Sequence, residues 1–237
     1  MVKKRIAIIP ARGGSKRIPL KNIATFCNKP MIAWTIEAAN RSGLFDRVLV
    51  STDSEEIATV AKEWGAETPF HRNNYADSHS PVSLATIAAL QQAMEYWEED
   101  YDSVTQLMPN CPLRDANSII AAVESFEQFD REFQISCFKY GWMNPWWAAK
   151  LDENQRPEKL FPEAVTKRSQ DLPELFCPTG AIWIAKTKPL FSEQTFYGAN
   201  HVFEPLSWEA AVDIDDYDDL FFAEVVKKMK SQKKMSS

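Results

Sequence analysis

Two patterns of apolar spacing follow one another along the first 140 residues of the chain. Residues 6–9 form an unbroken apolar run, which is typical of a strand covered on both faces. Residues 31–42 instead repeat their apolar positions at helical spacing, and Gly43 follows them as a stop signal. The pattern therefore predicts a strand followed by a helix.

Strand and helix patterns continue to follow one another up to residue 138. Further strands are predicted at 47–50, 104–107 and 134–138, and further helices at 54–64, 82–97 and 116–129, with Asp115 as an N-cap. Strands that alternate with helices form a mostly parallel sheet through right-handed crossovers. The fold class is therefore α/β, and the loops ARGGSKR, STDS and MPNCPLRD follow strands at the edge where such sheets bind ligands.

The second part of the chain departs from this pattern. Residues 139–178 are rich in tryptophan, proline and charge and lack periodicity, which predicts an inserted arm within one domain spanning 1–237. A strand is predicted at 181–185 and a last helix at 217–229. The expected inward side chains of that helix are Leu220, Phe221, Val225 and Val226.

Composition limits the classes of function. The net charge of -6 does not favour nucleic acid as a partner. The first apolar run is too short for a signal peptide and no later run approaches a membrane span, so we expect a cytoplasmic protein without membrane contact. The four cysteines form no CxxC pair, which argues against zinc and a dense disulfide framework.

The loop after the first strand concentrates positive charge. Residues 11–22 read ARGGSKRIPLKN, and no acid precedes Glu37. A glycine pair can turn its amides toward an anion, and the surrounding cations suit a polyphosphate. The alternative is a solvated basic loop. The loop lacks the spacing of both GxxxxGK[ST] and GxGxxG, so neither a P-loop NTPase nor a dinucleotide dehydrogenase is predicted.

At this point a family resemblance becomes visible. The stretch IAIIPARGGSKRIPLKNI resembles the signature of the CMP-sialic acid synthetases, or acylneuraminate cytidylyltransferases. The resemblance continues in order through KPMIAWTIEAA, SGLFDRVLVSTDSEEIA, MPNCPLRD, CPTGAIWIA and AVDIDDYDDL, and so spans the chain. It implies a Rossmann-like, three-layer nucleotide-binding fold of the nucleotide-diphospho-sugar transferase type, with the arm used for homodimerisation.

The resemblance also implies a reaction. The anomeric hydroxyl of a nine-carbon 2-keto sugar acid would attack the α-phosphate of CTP and release pyrophosphate, with Mg²⁺ as cofactor. Rival readings are a Kdo cytidylyltransferase, a hexose-1-phosphate nucleotidyltransferase and a noncatalytic nucleotide-binding protein. Mass spectrometry of the product separates a Kdo cytidylyltransferase or a hexose-1-phosphate nucleotidyltransferase from the sialic acid enzymes. Magnesium-dependent release of pyrophosphate would exclude a noncatalytic protein.

Site residues follow from the same resemblance. Catalytic roles are implied for Arg12, Lys21 and Asp213. The nucleotide would be held by Ala11, Arg12, Gly13, Gly14, Ser15, Lys21, Asn22, Arg72, Ser80 and Pro109. The sugar would be held by Met108, Arg168, Gln170 and Thr179. Lys16 and Arg17 are left open between phosphate contact and solvation, and Arg168 between the sugar carboxylate and the solvent face of the arm. Arg72 has the alternative of a surface arginine, and Ser83 is the alternative to Ser80.

The acidic run near the C-terminus suggests a metal site. Asp213 and Asp215 are two residues apart, so in an extended segment both carboxylates face the same side and can share a magnesium ion. The alternative is that the run caps the last helix, a role we assign to Asp216 or Asp218.

Departures from the family pattern concern the sugar. Met108, Thr179 and Trp183 stand where sialate enzymes carry glutamine, asparagine and tyrosine. They favour a related nonulosonate, such as pseudaminic or legionaminic acid. The arm tryptophans Trp142, Trp146 and Trp147 would line either the sugar pocket or a subunit interface.

Overall fold

The first strand, β1 (Arg5–Pro10), lies inside the central sheet and packs against core on both faces. In the computed structural model, which describes residues 3–75 and 80–235, Ala7 and Ile9 belong to one buried cluster and Ile6 and Ile8 to another. Successive side chains of a strand point to opposite faces, so both faces can be apolar only if the run is unbroken. The predicted buried strand is confirmed.

Nine further strands follow β1 in the described part of the chain, and five of them join it in a six-stranded sheet. They are β2 (Thr25–Phe26), β3 (Lys29–Pro30), β4 (Arg47–Ser51), β5 (Ser103–Gln106), β6 (Phe133–Lys139), β7 (Ala149–Leu151), β8 (Pro157–Lys159), β9 (Phe176–Lys186) and β10 (His201–Pro205). The sheet order is β10-β6-β9-β5-β1-β4, while β2 pairs with β3 and β7 with β8 in small hairpins. Only β9 runs antiparallel to its neighbours in this sheet, so the mostly parallel α/β fold is confirmed.

Helices cover the two faces of the sheet and complete three layers. They are α1 (Met31–Ser42), α2 (Glu55–Glu63), α3 (Val82–Trp97), α4 (Ala116–Gln128), α5 (Thr187–Glu193) and α6 (Tyr217–Met235). The helices α1, α2 and α4 bury Ile36, Ile57 and Ile119 in the cluster with Ile9, whereas α3 and α5 contribute Leu90 and Leu190 to the cluster with Ile8. Within the described part of the chain, none of these helices has the length and apolar character that a membrane span requires.

Helix α4 begins as the sequence predicts. The carboxylate of Asp115 accepts a hydrogen bond from the Ser118 amide at 2.9 Å, which satisfies one of the unpaired donors of the first turn. The predicted N-cap is confirmed.

Helix α6 differs from its prediction in the side chains that it buries. Leu220 and Val226 pack inward against α1 and the hairpin of β2 and β3, as expected. Phe221 is instead 70% exposed and Val225 is also exposed. Both lie on the outer side of the helix, and apolar spacing alone cannot show that only one side of such a helix is covered.

The segment between β6 and β9 lies outside the six-stranded sheet and falls where the arm is predicted. It carries the β7–β8 hairpin and short 3₁₀ turns at Pro145–Trp147, Pro162–Ala164 and Ser169–Asp171. Its tryptophans differ in environment. The Trp146 indole donates to the Pro173 carbonyl at 2.9 Å and packs edge-on against Phe161, whereas Trp142 is 86% exposed.

Candidate active site

A cavity of about 380 Å³ opens at the carboxyl edge of the sheet, where β1 and β5 end. Its walls combine the basic loop after β1 with the turn after β5 and the acidic run before α6. Among the residues that line it are Arg12, Ser15, Lys21, Asn22, Met108, Pro109 and Asp215. Segments nearly 200 residues apart in sequence therefore meet at the edge where parallel sheets bind ligands.

A groove of larger volume, about 860 Å³, lies at the opposite edge of the sheet, around Lys4, Asp102 and Lys186. That edge carries the amino-terminal ends of β1 and β5, which is not where parallel sheets hold their ligands. The smaller cavity is therefore the candidate site, because it combines the expected edge with the charged loop.

Lys21 connects the loop to the acidic run. It begins a short 3₁₀ turn, and its side chain is only 14% exposed. The ammonium donates to the Ile214 carbonyl at 2.8 Å and to Oδ1 of Asp215 at 2.9 Å. Arg17 reaches the other oxygen, Oδ2 of Asp215, at 2.7 Å. Burial pushes the pKa of Asp215 upward, but Lys21 and then Arg17 outweigh that effect, and the pKa is lowered.

Asn22 fixes the shape of the loop. Its side chain is 5% exposed, and its amide donates to the Arg12 carbonyl at 2.9 Å. Ala11 is buried and continues the pairing with β4 through its amide, which donates to the Ser51 carbonyl at 2.9 Å. These contacts hold Arg12 at the mouth of the cavity, directly after the strand.

The glycine pair differs from the predicted anion nest. The Gly13 amide already donates to Oδ1 of Asp53 at 2.8 Å. Among the described glycines, positive φ angles occur at Gly43 and Gly65, so the pair does not adopt a left-handed turn. A Cβ on Gly13 would lie 3.1 Å from the Ser54 Cβ, so glycine serves a close approach to the start of α2.

Arg72 lies behind the loop, next to Asp53, rather than among the residues that line the cavity. Its Nη2 is 3.9 Å from Oδ1 of Asp53, and its amide donates to the Thr52 carbonyl at 2.8 Å. Burial lowers the pKa of Arg72, Asp53 opposes this and Arg12 adds to it, which places the two arginines near one another. The buried Nε has no hydrogen-bond partner among the described residues.

Two carboxylates of the acidic run, Asp213 and Asp215, lie close enough for their charges to interact, and Asp215 is the one that lines the cavity. The Asn110 amide donates to Oδ1 of Asp213, and the Ile214 amide donates to the Asn110 carbonyl at 2.9 Å. Asp213 opens to solvent on one side, yet the surrounding protein desolvates its carboxylate. This desolvation, with the repulsion of Asp215, raises the pKa of Asp213 to about 6.

This carboxylate pair fits a magnesium ion. The described residues contain no cluster of three or more metal-ligating side chains, but Mg²⁺ typically needs one or two carboxylates and takes phosphate oxygens and water for the rest. Neighbouring carboxylates that repel one another are the donor set that a divalent cation stabilises. Asp216 has the predicted capping role, since its carboxylate accepts from the Asp218 and Asp219 amides, each at 3.0 Å.

The residues predicted to hold the sugar are not brought together. Met108 and Pro109 line the cavity, and a Cβ on Gly180 would lie 2.9 Å from the Met108 Cγ. Thr179 is instead a packing residue, because it is buried and its hydroxyl donates to the Ala211 carbonyl at 3.3 Å. Thr179 is not among the residues that line the cavity, and its substrate role stays a prediction.

Two further predicted positions lie outside the cavity wall within this chain. Arg168 lies exposed on the arm with both Nε and Nη2 bound to the Asp171 carboxylate, and Gln170 is exposed beside it. Ser80 precedes α3, next to residues 76–79 that fall outside the described chain, and it does not line the cavity either. The roles that the resemblance implies for these three positions therefore stay predictions, since none of the three lines the cavity.

Sequence reasoning missed three residues that shape the site. Asn110 orients Asp213, Asp53 holds the Gly13 amide, and Arg114 donates from a fully buried position to the Ala181 carbonyl and to the Thr35 hydroxyl, each at 2.7 Å. Their positions in two loops could have identified them, since Asp53 belongs to the STDS loop and Asn110 and Arg114 belong to the MPNCPLRD loop. Both loops were placed at the ligand edge without roles for these side chains.

An α/β sheet with a cationic loop and a carboxylate pair at its ligand edge defines a nucleotide-binding enzyme of the nucleotidyltransferase class. Residues 6–172 match the family model described as cytidylyltransferase. The chain belongs to this cytidylyltransferase family, which confirms the resemblance found in the sequence.

Individual relatives match most of the chain. A pseudaminic acid cytidylyltransferase of Campylobacter jejuni is 35% identical over 232 residues, covering 95% of this chain and 97% of the relative. A CMP-N,N'-diacetyllegionaminic acid synthase of Legionella pneumophila is 32% identical, with coverage of 89% and 90%. A solved CMP:2-keto-3-deoxy-manno-octonic acid synthetase, complexed with CTP, superposes with a TM-score of 0.70 at 16% identity over 96% of this chain and 100% of that one, which supports the fold.

Proposed function

We propose that the protein transfers CMP from CTP to pseudaminic acid or a closely related nine-carbon 2-keto sugar acid, with Mg²⁺ as cofactor and pyrophosphate as the leaving group. The observation that carries this proposal is the contact between Lys21 and Asp215 inside one cavity. Because the cationic loop and Asp215 of the acidic run meet there, one triphosphate can contact both.

The arrangement supports in-line displacement at the α-phosphate. Lys21 neutralises charge on the reacting phosphate, and Arg12 binds the phosphates that leave. Asn22 keeps the loop backbone fixed so that these charges are positioned before the nucleotide binds. Asp213 and Asp215 would hold the magnesium ion, which supplies Lewis-acid polarisation of the phosphate and of the attacking hydroxyl.

The proposed identity of the sugar rests on one residue of the cavity and on the similar proteins. Met108 presents a thioether to the cavity, where the resemblance leads one to expect a glutamine amide. A sugar that relied on that amide would lose a hydrogen bond, which disfavours N-acetylneuraminate. The relative that acts on pseudaminic acid is 35% identical, and the legionaminic acid relative is 32% identical.

A substrate panel tests this function directly. Purified protein, CTP and Mg²⁺ are incubated with pseudaminic, legionaminic, N-acetylneuraminic or Kdo acid, and pyrophosphate release and the CMP-sugar mass are measured. We expect the highest kcat/KM with pseudaminic acid and no release without metal. Preference for N-acetylneuraminate would contradict the role of Met108, and preference for Kdo, or for a hexose 1-phosphate added to the panel, would support a rival enzyme. CTP binding without turnover on any sugar would indicate a noncatalytic protein.

We further propose that the protein is a homodimer joined through its arm. Support comes from apolar side chains that the arm leaves open, with Trp142 86% and Met143 67% exposed. Replacing both with serine should leave the circular dichroism spectrum unchanged and shift the sedimenting mass from dimer to monomer. Phe129→Ser removes a 63% exposed aromatic outside the arm and should leave the dimer intact. A monomeric wild-type protein would contradict this proposal.

A further inference from the structure

The two cations that hold Asp215 differ in how firmly the protein fixes them. Lys21 is 14% exposed and has a second anchor at the Ile214 carbonyl, whereas the Arg17 side chain is 61% exposed. Both oxygens of Asp215 are occupied, Oδ1 by Lys21 and Oδ2 by Arg17. Oδ1 of the neighbouring Asp213 accepts from Asn110. The carboxylates proposed to bind metal are therefore already engaged by the protein's own donors.

We propose that Arg17 is a positioning residue that occupies a metal-binding oxygen of Asp215 in the free protein and moves onto the phosphates of CTP when nucleotide and metal bind together. This inference rests on the proposed function, since it assigns the metal to Asp213 and Asp215. It gives Arg17 a role that the sequence left open between phosphate contact and solvation.

Geometry makes this exchange possible. Arg17 lines the same cavity as Arg12 and Lys21, so a triphosphate held by those residues lies within its surroundings. A guanidinium forms two-pronged hydrogen bonds with phosphate as readily as with carboxylate. Because its side chain is largely exposed, Arg17 can change partners without unpacking the core.

The exchange links the two ligands energetically. A metal ion that binds alone must first displace Arg17 from Asp215, and a nucleotide that attracts Arg17 removes this competition. CTP should therefore raise the affinity for metal by more than its own chelation explains, and metal should raise the affinity for CTP by the same factor. An exposed ion pair contributes little free energy, so competition from Arg17 should weaken the binding of metal alone by about two- to five-fold.

The test measures metal binding rather than turnover. Free Mn²⁺ is followed by electron paramagnetic resonance, with and without CTP, for wild type, Arg17→Ala and Lys16→Ala. Lys16 is the matched control, because it is an exposed cation of the same loop that lines the same cavity and has no ion pair to Asp215 in the described structure. Its variant reports the general effect of removing one positive charge.

We expect Arg17→Ala to bind Mn²⁺ alone about two- to five-fold more tightly than Lys16→Ala does, and to show a correspondingly smaller enhancement by CTP. Equal Mn²⁺ affinities for the two variants would overturn this inference, and pyrophosphate release by the wild type would show that the proposed function survives. If wild type and both variants fail to bind Mn²⁺ even with CTP, the metal site and this inference are both wrong.

Discussion

A Lys21→Ala variant is expected to fold normally and to lose about a hundred- to a thousand-fold in turnover, the cost of removing one preorganised charge from a transition state. The Lys21 ammonium is nearly buried and lies at the meeting point of the cationic loop and the acidic run. A charge held in a partly desolvated site is worth more than one in water, because solvent does not need to reorganise during the reaction.

The measurement is the initial rate of pyrophosphate release at saturating CTP and sugar, compared with the thermal unfolding midpoint. Lys21 bonds only two groups of the acidic run, and Asp215 retains Arg17 as a partner, so the fold should tolerate the change. A fall in kcat rather than a rise in KM would indicate a contact made mainly in the transition state.

Lys29→Ala provides a matched control. Lys29 is another half-buried lysine in an ion pair, 2.6 Å from the Glu37 carboxylate, and it lies outside the cavity. It should retain wild-type turnover even if its midpoint falls slightly. Equal losses in the two variants would show that Lys21 acts through stability, and unchanged turnover in Lys21→Ala would remove it from the mechanism.

The parts of the fold that sequence predicted well depend on local signals. Helix α3 (Val82–Trp97) has the predicted bounds, and Asp115 caps α4, because apolar spacing and caps are properties of a few adjacent residues. The cationic loop was likewise placed correctly at the sheet edge, since the strand before it is unambiguous. Its contacts with Asp215 could not be derived from spacing, because the contact of Lys21 joins residues 194 positions apart and that of Arg17 residues still farther apart.

The parts that failed depend on which surfaces meet in the folded chain. The strand β9 is longer than predicted and runs antiparallel, which no pattern within 181–185 reveals. Phe221 has the helical spacing of a core residue but lies on an open side of α6. Each error concerns a partner that is distant in sequence.

The second large effect is expected at the carboxylate pair. Asp213→Asn keeps the side-chain shape and an oxygen that can accept from Asn110, but it removes one of the two negative charges proposed to hold magnesium. Metal stabilisation of a developing phosphate charge amounts to several kcal/mol, so turnover should fall by about a hundred-fold or more at ordinary magnesium concentrations. Part of the loss should be recovered when Mg²⁺ is raised, because the site is weakened rather than removed.

Asp216→Asn is the control for this effect, since it removes the same charge from the same acidic run. Asp216 accepts from the Asp218 and Asp219 amides at the start of α6, and asparagine caps a helix as well as aspartate does. Turnover and the magnesium titration of this variant should therefore match the wild type. If Asp213→Asn shows the same rate and the same magnesium dependence as Asp216→Asn, the metal does not bind at Asp213.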